Sequence, residues 1–250
     1  MIRDRRKTRE FFDRWIGFDE VQLRTTQAEL DSDAIDWPYG RVLAADDQFA
    51  EVLRRVIMRY SRGDTLTDLR GDTALLLAMR EQMQKFFDAL PREEQSLREV
   101  YERLSFDSYI DWLWWLSFAV CLDMSREHVL RVLELIDNAG QDTLLDRIAV
   151  HLGEARTVGA KLRFPEQYGT LLQALDASSR EQQAQFVKTF LDGWYEGCSE
   201  AAWCDNDRGE DTGYIGYWCF EAALVVKMFG IDDATFRDNP YYPVDLVRGH

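Results

Sequence analysis

Apolar residues recur at the three-and-four spacing of a helix along almost the whole chain, and that periodicity excludes most architectures at once. Phe49, Val52, Leu53, Val56, Ile57 and Tyr60 make one stripe. Leu76, Met79, Met83, Phe86, Phe87 and Leu90 make a second, which Pro91 stops. Val129, Val132, Leu133 and Ile136 follow Ser125, a good N-cap. Leu144, Leu145, Ile148 and Leu152 are closed by Gly153. No alternating β-branched run of useful length occurs, and no Asn-Gly or Asp-Gly turn lies between such runs. The pattern predicts an all-α fold, a multi-helix globular bundle.

Later signals refine it. Pro165 opens a short helix carrying Tyr168, Leu171, Leu172 and Leu175. Ser179 and Gln182 have capping-box spacing, ahead of a face of Phe186, Val187, Phe190, Leu191 and Trp194. Residues 213–229 are apolar on most sides, which predicts a buried, aromatic-rich central helix capped by Gly230. Tyr109-Ile110-Asp111-Trp112 is weakly echoed by Tyr214-Ile215-Gly216-Tyr217, through duplication or chance, and no 34- or 40-residue period runs through the chain. The charged stretch after Pro91 suggests a helical region at 1–95 and a second at 96–250. Pieces this small more commonly share one core.

At 250 residues, with 46% hydrophobic residues, a core needs no covalent staples. Eight Trp and fourteen Phe make that core aromatic, since large rings dominate burial. The four cysteines include no CxxC pair and suit a reducing cytosol, although Cys198 and Cys204 could pair in an oxidising compartment. The first fifteen residues have no signal-peptide apolar run, and the longest apolar stretch, 112–122, is far short of a membrane span. A cytoplasmic protein without membrane contact is expected. Acidic residues outnumber basic ones 45 to 30, and the resulting charge of -15 repels nucleic acid and attracts basic partners. Plain solubility explains such a balance equally well.

Catalytic constellations are missing from the sequence. His128, His151 and His250 lie outside helical reach of one another, which leaves a zinc site or a Ser-His-Asp relay without its parts. No Walker loop or GxGxxG occurs. Asp205, Asp207 and Glu210 resemble the start of an EF-hand loop, but Gly209 comes one position early and Gly216 stands where the bidentate Glu belongs. Glu221, inside an apolar run, must be paired or hydrogen-bonded, and a structural role is commoner there than general acid-base work. No catalytic residue, cofactor or metal is expected.

Carboxylates do concentrate late in the chain, eleven between residues 190 and 240 against Arg208, Lys227 and Arg237. Glu200, Trp203, Asp205, Asp207, Glu210 and Asp211 lie in a loop-like stretch between two strong helices. Carboxylates beside an exposed ring suit a protein interface, the charges steering encounter and the ring supplying area. A solvated loop around a buried Trp fits the same residues.

Three motifs in order resemble a known family. Residues 214–223 (YIGYWCFEAA), then Gly230-Ile231-Asp232-Asp233, then Tyr241-Tyr242-Pro243-Val244-Asp245-Leu246, are similar to the C-terminal signature of the PoNe immunity proteins (PoNi). Residues 109–122 and Leu191-Asp192-Gly193-Trp194-Tyr195 resemble further segments of that domain, and the similarity covers roughly 105–247. The resemblance implies a helical bacterial protein that neutralises a cognate PoNe-type DNase of the PD-(D/E)xK superfamily, made beside its toxin. It does not identify the toxin. Read together, the features point to a toxin-binding protein that occludes a basic DNA-binding or active site. A helical adaptor or scaffold, or a carboxylate-dependent hydrolase, are the alternatives.

Overall fold

A computed structural model describes residues 1–32, 34–209 and 213–249. Among the described residues there are helices and turns and no strand, the all-α fold that the stripes predict. The chain forms two compact units, residues 1–104 with 205–216 and residues 105–204 with 217–250.

The first unit is built on three long helices, α1 (Arg9–Leu30), α2 (Pro38–Arg62) and α3 (Leu66–Asp88), with a short α4 (Glu99–Glu102). Thr8 and Thr65 cap α1 and α3 by accepting from Phe11 N and Asp68 N. α2 packs against both neighbours, and the stripe from Phe49 to Tyr60 faces them. Polar residues fix the register. Asp72 of α3 accepts from Arg55 at 2.7 Å and Arg59 at 3.0 Å, and Asp64 accepts from Arg59 and Arg62. Gly63 ends α2 at φ 97°, where a Cβ would lie 1.9 Å from the Met1 carbonyl oxygen, so conformation and space both demand glycine. Residues 205–216 belong to this unit through the N-terminal segment. Lys7 donates to the carbonyls of Asp207 and Gly209, Ser61 donates to the Ile215 carbonyl at 2.7 Å, and Tyr214 donates to buried Asp4.

The second unit comprises α5 (Phe106–Cys121), α6 (Arg126–Ile136), α7 (Thr143–His151), α8 (Pro165–Asp176), α9 (Arg180–Gly197), α10 (Phe220–Phe229) and α11 (Val244–Arg248). α5 and α10 pack on each other and are apolar nearly all round, as helices with no solvent face must be. α8 and α9 form an antiparallel-type hairpin joined through three residues, and α9 also reaches α10. Ser125, Gly153 and Pro165 punctuate α6, α7 and α8 as expected.

Two local expectations need correction. The helix expected over 213–229 begins only at Phe220. Residues 213–219 are irregular, with Gly213 at φ 68° and Gly216 at φ 117°, because here the chain leaves the first unit and enters the second. The echo of 109–112 in 214–217 is therefore not structural, one copy being helical and the other not. At Ser179 only half the capping box forms: its hydroxyl accepts from Gln182 N, while the Gln182 side chain accepts from Ser178. The reciprocal box is at Ser105 and Ser108, starting α5.

Candidate functional site

Glu221 sits in the first turn of α10 at 1% exposure, a carboxyl inside the apolar packing of α5, α8, α9 and α10. Its Oε1 accepts from the Tyr168 hydroxyl at 3.0 Å and from the Trp194 indole at 3.4 Å. Burial raises its pKa above the ordinary carboxylate value, against its own backbone amide and the Trp114, Tyr168 and Trp194 donors, which favour the charge. The neighbouring thiols follow. Burial first, and the Glu221 carboxyl second, push Cys198 and Cys219 up, and Tyr168 is raised in the same way. The thiols and the phenol are thereby held further toward their neutral forms.

Rings close around it. Trp203 stacks on Trp194 with centroids 5.2 Å apart and lies 5.6 Å from Trp114 and 5.8 Å from Tyr217. Tyr241 stacks on Tyr195 at 5.3 Å and meets Trp194 at 5.4 Å, while its carbonyl accepts from Cys219 N at 2.8 Å. The Tyr241-Tyr242-Pro243 tail thus docks on α9 and on the irregular lead into α10. A cavity of about 100 Å³ between α8 and α9 is lined by Tyr168, Phe190, Trp194 and Cys198.

The acidic stretch is distributed between the units. Glu200 is exposed on the turn after α9, in the second unit. Asp205 is exposed in the first unit and pairs with Arg208 at 2.8 Å; Asp207 is half-buried there. Glu210 and Asp211 lie outside the described residues. Trp203 is not the exposed ring that an interface would want: it is 9% exposed and completes the ring cluster around α9. What the sequence did not reveal is that Trp114, far away along the chain, joins Trp194 and Tyr217 around it.

No helix among the described residues is long and apolar enough to cross a membrane. The fold is shared with protein PA2201 from Pseudomonas aeruginosa, whose crystal structure superimposes over 100% of this chain and 98% of that one with a TM-score of 0.67 at 20% identity. Comparison with curated protein sequences gives no match. Residues 140–246, which include Glu221, the tail and the acidic stretch, match the family described as PoNe immunity proteins (PoNi), C-terminal.

Proposed function

We propose that the chain neutralises a cognate bacterial nuclease toxin by covering its basic DNA-binding or active site, and that it catalyses no reaction itself. The observation that carries this reading is the family match over residues 140–246. The charge of -15 supports it, because a surface built to hold DNA phosphates is basic and is drawn to an acidic one. Glu200, Asp205 and Asp207 are the described carboxylates proposed to face the toxin, with Glu210 and Asp211 continuing the stretch. Trp203 contributes from inside, by fixing the turn that carries Glu200. Glu221 supports a non-enzymatic role, being sealed among rings whose Tyr168 hydroxyl and Trp194 indole donate to it. The working compartment is the bacterial cytoplasm, where a DNase reaches DNA.

The test is co-expression with the toxin encoded beside this chain. Cells making both should survive, and the two proteins should co-purify with the toxin's DNA cleavage suppressed. An active toxin that neither binds the chain nor is restrained by it would overturn the reading. So would turnover that follows the purified chain through successive columns.

A further inference from the structure

Interfaces are anchored by exposed rings, and the second unit exposes none among the described residues. The first unit exposes two, Phe18 on α1 and Trp37 at the start of α2, each at 51%. The Trp37 indole lies across Gly40: a Cβ there would come within 2.3 Å of its Cε2 and Nε1, so glycine is what lets the ring rest on the helix. Tyr39 meets Trp37 edge-on at 5.8 Å. Tyr39 in turn crosses Tyr101 of α4 at 6.4 Å and shares a hydroxyl hydrogen bond with it at 3.2 Å. Tyr101 crosses Phe87 at 5.4 Å, and Phe87 is buried with Val42, Ala45, Met83 and Leu90. Four rings thus run from the core to the surface and end on one that is half open. A ring held in place before docking has little freedom left to lose. Leu43, one turn beyond Tyr39, and Val100, next to Tyr101, are also exposed and widen the apolar area.

The setting of this ring is acidic. Residues 31–47 carry Asp31, Asp33, Asp36, Asp46 and Asp47 against Arg41 alone. Arg41 is engaged by the Leu30 carbonyl and the Phe86 ring, and Arg98, ahead of α4, by Asp88 and Glu102. Asp36, Asp47 and Glu99 are exposed, and none is ion-paired among the described residues. Burial first, then Tyr39, then the charges of Asp46 and Asp47 push the Tyr101 phenol up, so those two carboxylates act on this same face. Phe18 has a different setting. Its neighbour Trp15, 5.7 Å away, already lies under the Arg14 guanidinium, and Arg5 and Arg9 are exposed before it along the chain. An approaching cation is therefore favoured at Trp37 over Phe18.

We propose that the Trp37 face of the first unit holds a basic protein partner, with an arginine or lysine side chain of that partner laid on the exposed indole and further cations meeting Asp36, Asp47 and Glu99. Trp is the best of the aromatic side chains at holding a cation, and the attraction grows as docking removes water. Leu43 and Val100 supply the surrounding contact area. That this partner is the toxin rests on the function proposed above. Glu200, Asp205 and Asp207 steer before contact, across a screening length of about 8–10 Å, and need no ring to do so. The Trp37 face acts after contact. The two therefore set different rate constants, association for the carboxylates and dissociation for the ring.

The test follows association and dissociation of the full chain with the toxin encoded beside it. Trp37→Ala should weaken affinity at least about thirtyfold, nearly all of it through faster dissociation, with the melting temperature close to wild type. Should Trp37→Ala also lower the melting temperature, the exposed pair Asp36→Lys and Glu99→Lys decides: together they should weaken binding about tenfold or more without changing the melt. Separately, the peptides Arg-Gly-Arg-Gly-Arg and Glu-Gly-Glu-Gly-Glu are titrated into the wild-type chain under NMR. The arginine peptide should shift the Trp37 indole N–H before any other, and the glutamate peptide should shift nothing. Wild-type dissociation in Trp37→Ala would overturn the proposal, as would arginine-peptide shifts spread evenly over the acidic surface. A wild-type dimer that Trp37→Ala dissolves would give the face to a second copy and overturn it too. A wild-type chain that takes the arginine peptide at Trp37 but does not bind the toxin would instead remove the toxin reading and leave the basic-partner face standing.

Discussion

The hydroxyl of Tyr214 donates to the carboxylate of Asp4, a residue 210 positions earlier and 1% exposed. Asp4 is also held by Arg6, through its backbone N–H at 2.9 Å and its guanidinium at 3.5 Å, and the rings of Phe11 and Phe12 lie 6.4 Å from that of Tyr214. This contact fastens residues 205–216 to the N-terminal segment. Tyr214→Phe removes the donor and keeps the ring, which should destabilise the chain by about 1–3 kcal/mol, the cost of a buried carboxylate losing a partner. Urea unfolding of the full chain checks this. An unchanged midpoint would show that the remaining partners of Asp4 satisfy it.

Glu221→Ala leaves a cavity and strips Tyr168 and Trp194 of their acceptor, so a loss of about 2–5 kcal/mol is expected. Glu221→Gln keeps the acceptor and cannot ionise. Because the folded carboxyl holds its proton above its ordinary pKa of 4.5, the folded state binds more protons than the unfolded one just above that pH. Wild-type stability should therefore fall relative to Glu221→Gln as pH rises from about 4.5 through the folded pKa, then level off. Paired melts from pH 4 to 8 measure the difference, and parallel curves would contradict it.

Asp46 provides a second pH-dependent contribution, in the first unit. Burial, which outweighs the nearby Arg80 and is reinforced by Asp47, raises its carboxyl to about 6. By the same sign, the stabilisation it lends is fully present below its ordinary value of 3.8 and is lost as pH rises to about 6. Asp46→Asn should track wild type below that window, lack the fall across it, and stay more stable than wild type above it. Thermal melts in the two backgrounds at pH 4, 5 and 7 decide the point.

Reversing Glu200, Asp205 and Asp207 to lysine should slow toxin association and weaken its salt dependence, while leaving the melting temperature close to wild type. Stopped-flow binding at several salt concentrations reads both. If the on-rate and its salt slope stay unchanged, the acidic contact lies elsewhere, for instance at Asp46 and Asp47.

Trp203→Ala should behave in the opposite way. Losing a ring stacked between Trp194 and Trp114 is expected to cost about 3–5 kcal/mol, and protection would fall with abundance. A stable Trp203→Ala variant with impaired binding would return the ring to the interface.

Period and punctuation made the helices legible. Ser125, Pro165, Gly153 and the stripe from Phe49 to Tyr60 act locally, within a turn or two, and each lies where its chemistry places it. The failures have one cause, information that is not local. Uniform hydrophobicity over 213–229 looks the same whether a segment is a buried helix or a buried irregular passage, and the passage between the units decided which. Trp203 reads as free in a polar stretch until the rings of Trp114, Trp194 and Tyr217 are placed beside it. Glu221 was legible as a buried carboxyl needing donors, but Tyr168 lies 53 residues away and carries no sign of its role.

The return of residues 205–216 to the first unit also sets an order of events on the ribosome. Residues 1–104 emerge without the segment that supplies Tyr214 to Asp4 and the Ile215 carbonyl to Ser61. At ~5–20 residues per second, the missing segment follows residue 104 by roughly 6–20 s. Until then Asp4 and Ser61 lack their late-made partners, and the first part of the chain to be synthesised cannot be finished until most of the second unit has also been made. A nascent chain of this design is exposed to proteases and chaperones for longest at its oldest end.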